Sequence, residues 1–334
     1  MHRNLKNTLT LGAFALLSIA NAASAQTYIF DRNIGSYGNG NGQIEYPGGS
    51  AVDSNDNVFV ADGNNRIEEF DSSGNFVQII GNYGYGNGQL MRPEGVAIGN
   101  SGNIYVSDSH NNRIEEFNSK GSFVQTMGSY GTGNGQLNYP YSLALDSSGN
   151  LYVADTQNNR IEEFNSSGSF VQTIGNYGRG NGQLILPIGV TVDGSDNVFI
   201  ADRGNNRIEE FNSNGGFIRT VGSGGIGNGQ LSNPQGIAID KNGNVFVADY
   251  NNSRIEEFNN SGSFVQTIGS LGNGNGQLYY PDDIKLDSNG NLFVTDAGNA
   301  RIVRYDLVPE PGNISFLIAL GAVSLVTLLR RRRK

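Results

Sequence analysis

From Pro234 to Gly269 four short apolar stretches alternate with turn residues. They are Gly236 to Asp240, Asn244 to Asp249, Arg254 to Phe258 and Ser263 to Ile268, each of strand length, with Asp, Asn, Gly and Ser between them. The same order of apolar and polar positions returns along the chain. Arg66, Arg113, Arg160, Arg207, Arg254 and Arg301 fall 47 residues apart, and each opens an Arg-Ile pair. Pro47, Pro93, Pro140, Pro187, Pro234 and Pro281 keep the same beat, one residue short in the first repeat between Asp62 and Arg66. Gly-Asn-Gly-Gln precedes every one of these prolines.

Four strands per repeat make one blade of a propeller, so six repeats predict an all-β, six-bladed β-propeller of four-stranded blades. The repeats run near 47–81, 93–128, 140–175, 187–222, 234–269 and 281–306. The sixth stops three strands in, at Tyr305. Phe30 to Gly35, ahead of the first repeat, aligns with Phe170 to Gly175, so a strand within 27–35 is expected to complete the last blade. A closed ring of this kind hides the edges that an open one would expose.

Glycine-rich and without Trp or Cys, the chain reads as a turn-rich globular protein; 48 of its 334 residues are Gly. The lack of Cys excludes disulfides, thiolate nucleophiles and thiolate-bound zinc. The two ends depart from the repeat. Arg3 and Lys6, an apolar run from Leu9 to Ala20 and Ala23-Ser24-Ala25 form the three parts of a cleaved signal peptide over 1–25. At the other end Val308, Pro309, Glu310 and Pro311 precede an apolar run from Ile314 to Leu329, closed by Arg330, Arg331, Arg332, Arg333 and Lys334. The run is short for a spanning helix, and the five cations would stay on the cytoplasmic side.

The C-terminal combination over 308–334 resembles the PEP-CTERM sorting signal. The resemblance implies handling by signal peptidase and an exosortase, transient anchoring in the inner membrane, and delivery to the cell surface or extracellular matrix of a Gram-negative-type bacterium. A plain membrane anchor is the alternative. Between the ends, residues 26–307 form the propeller. The ends hold seven of the 22 basic residues but one of the 31 acidic ones, leaving 15 basic against 30 acidic side chains, a formal charge of −15. That balance disfavours nucleic acid and suits cationic, neutral polar or divalent-metal partners.

Within this frame Pro234 to Asp240, Gly243 to Asp249 and Asn252-Ser253-Arg254-Ile255 resemble the NHL repeat, and the match recurs six times between 47 and 306. The position at which the family carries His reads Asn65, Asn112, Asn159, Asn206, Ser253 and Ala300 here. The 47-residue period is long for the family. Its extra length falls in the Gly/Asn-rich segment between blades, the expected place for ornament. Some similar propellers are enzymes, among them an amidating lyase that uses His around zinc and the streptogramin lyase, which also relies on His. With His110 alone between the ends, a site built from several His is excluded.

Asp62, Asp108, Asp155, Asp202, Asp249 and Asp296 each precede the Arg of their repeat by four or five residues, and six-fold repetition marks these pairs as structural clips. The Glu-Glu pairs of Arg-Ile-Glu-Glu-Phe, such as Glu162/Glu163, should diverge to opposite faces of their strand and form an acidic band on the blade surface. The Asp-x-x-Gly-Asn segments lack the ligand pattern of a calcium loop and read as hairpin turns.

Blades differ most near the prolines and in the loop between the second and third strands, where function sits on rigid scaffolds. The candidate ligand-binding residues there are Tyr46, Arg92, Glu94, His110, Tyr139, Tyr141, Arg203, Tyr250, Tyr280 and Asp282. If they converge, they make an aromatic, hydrogen-bonding ring suited to a glycan or peptide. Asp283 and Lys285, where the other blades carry small residues, either pair beside the closing seam or face a ligand in the channel. No catalytic residue, metal or cofactor is assigned. The expected function is a binding scaffold for an extracellular glycan, peptide or protein. The alternatives are a metal-dependent lactonase or lyase of the regucalcin-like type, drawing on Asp282, Asp283 and Glu94, and a purely structural surface-layer protein.

Overall fold

Strands form where the apolar stretches lie: the second and third of each blade bury β-branched or aromatic residues on both faces, while the outer one buries one face and leaves residues such as Val171 exposed. The structure, a computed structural model, describes residues 26–308. The expected signal peptide at 1–25 and the sorting tail from Pro309 onward lie outside the described residues. Among the described residues no helix is long and apolar enough to cross a membrane.

Six four-stranded antiparallel sheets result, one per repeat. In blade 3 the strands are Pro140–Leu145, Leu151–Asp155, Arg160–Phe164 and Phe170–Ile174, in that order from the channel outward. The last blade takes Pro281–Leu286, Leu292–Asp296 and Arg301–Val308 from the end of the chain and Thr27–Ile34 from its beginning. Phe30 pairs with Tyr305 and Ile34 with Ile302, so the N-terminal strand closes the ring as the aligned motif predicts.

The core is a set of six clusters, each shared by neighbouring blades. Ala154 and Ile161 of blade 3 pack with Val190, Ile200 and Phe211 of blade 4, while Ile34 and Ile302 of the last blade pack with Val58 and Phe70 of the first. Each buried side chain of this size contributes about 2 kcal/mol.

Buried charge joins the blades as well. Every Asp of the expected clips is fully buried and accepts from the Nε of its Arg at 2.8–2.9 Å. The same guanidinium reaches the Gly-Asn-Gly-Gln segment: Arg160 Nη2 donates to the carbonyls of Gly133 and Gln136. The Gln side chain caps that segment, Gly133 N donating to Gln136 Oε1 at 2.9 Å. The linker expected to hold ornament is therefore a fixed bracket, tied to the blade that follows it.

The acidic pairs do not form a surface band. Glu162 is fully buried and Glu163 is 4 % exposed. Glu162 takes Arg160 at 2.8 Å, the Thr173 hydroxyl and the amide of Gly135, and Glu163 accepts from Gln172 at 2.6 Å. The two carboxylates do diverge, but the faces they reach are covered by the linker bracket and the outer strand, so each charge is met by donors. In the last blade Val303 and Arg304 stand at these positions, and Arg304 pairs instead with Asp306 and with Asp31 of the latch strand.

The Asp-x-x-Gly-Asn segments are turns. In one of them Asp240 Oδ1 accepts from Asn242 N and Asn244 N while Gly243 adopts φ +80.

Candidate functional site

Strand direction decides which loops share an end of the ring. The first strand of each blade starts at its proline, so the linker brackets and the loops between second and third strands lie at one end. The Asp-rich turns lie at the other.

At the first end the channel is nearly shut by backbone. Gly49 N donates to Glu94 O at 2.5 Å, and a Cβ added to Gly236 would sit 2.5 Å from Asp283 Cα. Glycine is required where innermost strands approach this closely. Glu94, Tyr141, Ile188, Asp282 and the neighbouring glycines leave a cavity of about 10 Å³, room for one water molecule. Beyond this plug a pocket of about 180 Å³ opens toward the other end, lined by Ala97, Ala144, Thr191 and Lys285 among others.

Immediately after the prolines stand Gly48, Glu94, Tyr141, Ile188, Gln235 and Asp282, one per blade. The Tyr141 hydroxyl crosses the channel to Asp282 Oδ2 at 3.1 Å. Glu94 takes Arg92 at 2.7 Å and the Tyr139 hydroxyl at 3.2 Å. Burial, then the neighbouring Glu94 and Asp283, pushes Asp282 up to about 8, so it is largely protonated at neutral pH. Burial also raises Glu94, against the opposing pull of Arg92. Gln235 Oε1 is buried with no hydrogen-bond partner among the described residues.

A second tier surrounds this floor. Tyr46, Arg92, Tyr139, Leu186, Asn233 and Tyr280, each just before a proline, all take left-handed φ between +48 and +58. Their recurrence in every blade makes this conformation part of the architecture. An amide of the preceding blade supports most of them: Asn65, Asn112, Asn159 and Asn206 accept from the N–H of Arg92, Tyr139, Leu186 and Asn233 at 2.7–2.9 Å. These acceptors occupy the position where the family carries His, and their role in joining blades was not legible from one repeat read alone. Ser253 makes a long version, 3.5 Å to Tyr280 N, and Ala300 has no such group to offer Tyr46.

Side chains pair across the same junctions. His110 lies 5.5 Å from the Tyr139 ring, Arg203 donates to Asn233, and Tyr250 stacks on Tyr280 at 4.8 Å with 20° between planes. Tyr279, absent from the sequence candidates, packs on Tyr280 at 4.2 Å. Burial and the nearby Arg92 lower the His110 pKa. Tyr46 stands apart, 77 % exposed.

The structure thus gathers Arg92, Glu94, His110, Tyr139, Tyr141 and Asp282 into one cluster and Arg203, Tyr250 and Tyr280 into an adjoining arc. Asp283 borders the same floor but is engaged with Lys285. Lys285 Nζ meets both Asp283 oxygens at 2.8–2.9 Å, and Asp283 Oδ2 also accepts from Ser50 N of blade 1 at 2.8 Å, which ties the closing seam. Among the described residues no group of three or more His, Cys, Asp or Glu side chains is placed to hold a metal ion.

The fold is that of a six-bladed β-propeller, and three of its repeats match the NHL repeat. Residues 90–117, 137–164 and 184–211 match the NHL repeat, and residues 241–311 match a family described as a 6-bladed beta-propeller. No curated protein matches the chain.

Among solved structures it is similar to a streptogramin B lyase at 14 % identity, covering 84 % of this chain and 98 % of that one, with a TM-score of 0.60. It is also similar to a protein of unknown function from Bacteroides thetaiotaomicron at 18 % identity, 85 % and 76 % coverage and a TM-score of 0.67. A catalytically inactive virginiamycin B lyase from Staphylococcus aureus, solved with quinupristin, is similar at 17 % identity, 78 % and 80 % coverage and a TM-score of 0.57. At these identities the likeness is one of fold.

Proposed function

We propose that this chain is an exported binding scaffold, displayed at the cell surface or in the extracellular matrix, which takes a glycan, peptide or protein ligand at the channel mouth. The observation that carries the reading is the mouth itself. Aromatic and hydrogen-bonding side chains that differ from blade to blade stand on six supports of one backbone conformation, four of them held by an Asn of the preceding blade, above a floor too tight for a ligand to pass. Such a site offers contact area and polar anchors.

Retention of the purified chain on a glycan or peptide array, weakened about tenfold by Tyr139→Ala or Tyr280→Ala without turnover of the retained ligand, is the expected result. Retention that ignores both substitutions would sink the mouth as the site. Divalent-metal-dependent product release from a lactone panel, lost on Asp282→Asn, would replace binding with catalysis.

A further inference from the structure

Outside the mouth, a second set of aromatic side chains keeps the repeat. Tyr37, Tyr83, Tyr130 and Tyr177 open the linker brackets ahead of blades 1 to 4, at one equivalent position each, and are 67, 56, 69 and 69 % exposed. Leu271 takes the place ahead of blade 6 and is 65 % exposed, while Gly224 leaves it empty ahead of blade 5. Exposed tyrosines on floppy loops would mean little. These loops are fixed by the Gln cap, the Arg staple and an Asn donor, as where Asn111 Nδ2 reaches Gly84 O at 3.0 Å. No core contact explains an aromatic ring so exposed at the same place four times.

Charge is divided between the ends. The turns at the far end carry Asp53, Asp56, Asp71, Asp146, Asp193, Asp196, Asp240 and Asp287 against Lys120 and Lys241. The linker brackets are built of Gly, Asn, Gln, Ser and Thr, with Glu45, Arg92 and Arg179 as their only charged residues. Most exposed acidity thus lies at the end away from the tyrosines; on their own face Glu45, which accepts from the Tyr37 hydroxyl at 3.3 Å, is the one bracket carboxylate, so a neutral partner suits this face better than a charged one.

We propose that this outer ring is a second, multivalent site for a neutral polysaccharide, each tyrosine receiving the apolar face of one sugar ring while bracket amides and carbonyls meet its hydroxyls. Aromatics repeated on four successive blades, joined ahead of blade 2 by Tyr85, whose ring lies 6.3 Å from that of Tyr83, suit a long polymer that touches several blades better than a peptide, which needs a continuous cleft or a strand edge. Each contact is weak, and simultaneous engagement supplies the affinity.

The test uses the full chain against immobilised xylan, galactomannan, β-1,3-glucan and cellulose. Retention on at least one is expected, falling about fivefold per Tyr→Ala at positions 37, 83, 130 and 177 and lost when all four are replaced. Melting temperature should stay unchanged, because exposed rings leave the fold untouched. No retention on any of the four, or equal retention by the fourfold variant, overturns the proposal. Loss in Tyr139→Ala and Tyr280→Ala with none in the fourfold variant overturns it while leaving the mouth reading intact. Self-association abolished by the fourfold variant, with no polysaccharide retained, would assign the ring to contacts between copies instead.

Discussion

The hydroxyl of Tyr141 in blade 3 donates to Asp282 in blade 6, directly across the ring, at 3.1 Å. One phenol therefore spans the channel, and the carboxyl it meets has no room for bulk water. Asp282 shares this space with Glu94 and Asp283, so the cost of ionising it is felt by the whole closure of the mouth.

Stability should fall as pH rises from about 4 to about 8. In the unfolded chain Asp282 loses its proton near 3.8, whereas in the fold it holds the proton up to about 8, so the folded state binds more protons throughout that window. The slope reaches at most about 1.4 kcal/mol per pH unit for one group. Asp282→Asn should flatten this part of the profile in urea melts at stepped pH, and an unchanged slope would contradict the assignment.

Removing Thr27 to Gly35 strips the outer strand from the last blade and exposes the edge of Arg301–Val308. A marked drop in melting temperature, with increased aggregation, is expected from an open edge. Calorimetry of the truncated chain beside the parent checks it.

Breaking a clip should cost about 3 kcal/mol, because Arg160→Ala leaves both Asp155 and Glu162 buried without their cation. The loss should also loosen the bracket at Gly133 to Gln136. Faster amide exchange there, reported by mass spectrometry, separates this from a uniform loss of stability.

Ala300 holds φ +51 and stands where four other blades place Asn. Ala300→Asn should suit that backbone better and supply an acceptor for Tyr46 N, adding about 1 kcal/mol to the seam. A rise of about 2–4 °C in melting temperature is expected; a fall would mean the buried position lacks room for the amide.

Much of this fold was legible because repetition multiplies a weak signal. One Arg-Ile pair says little, yet Arg66 through Arg301 at a fixed spacing fix the blade count, and Phe30 to Ile34 announce the latch by aligning with a complete blade. The mouth was legible in part, since departures from the repeat marked Glu94, Tyr141 and Asp282. Burial was not, because the Glu pairs look solvated until the linker bracket and outer strand that cover Glu162 and Glu163 are in place. The reach of Asn112 to Tyr139 N was hidden as well, for it joins two repeats, whereas comparison of repeats sees only what lies within each. The pairing of Asp283 with Lys285 beside the seam was legible as two charges on one small-residue strand, whereas the hold on Ser50 N was not, because it needs the meeting of first and last blades.

The strand pair that shuts the ring also sets how it would yield to force. Thr27 faces Val308 at one end of the pair, away from the tyrosines. Tension applied through both would not shear the seven rungs together. It would peel them singly from Thr27 toward Ile34, and the propeller would open as a clasp does, at low load, with its other five blades still closed.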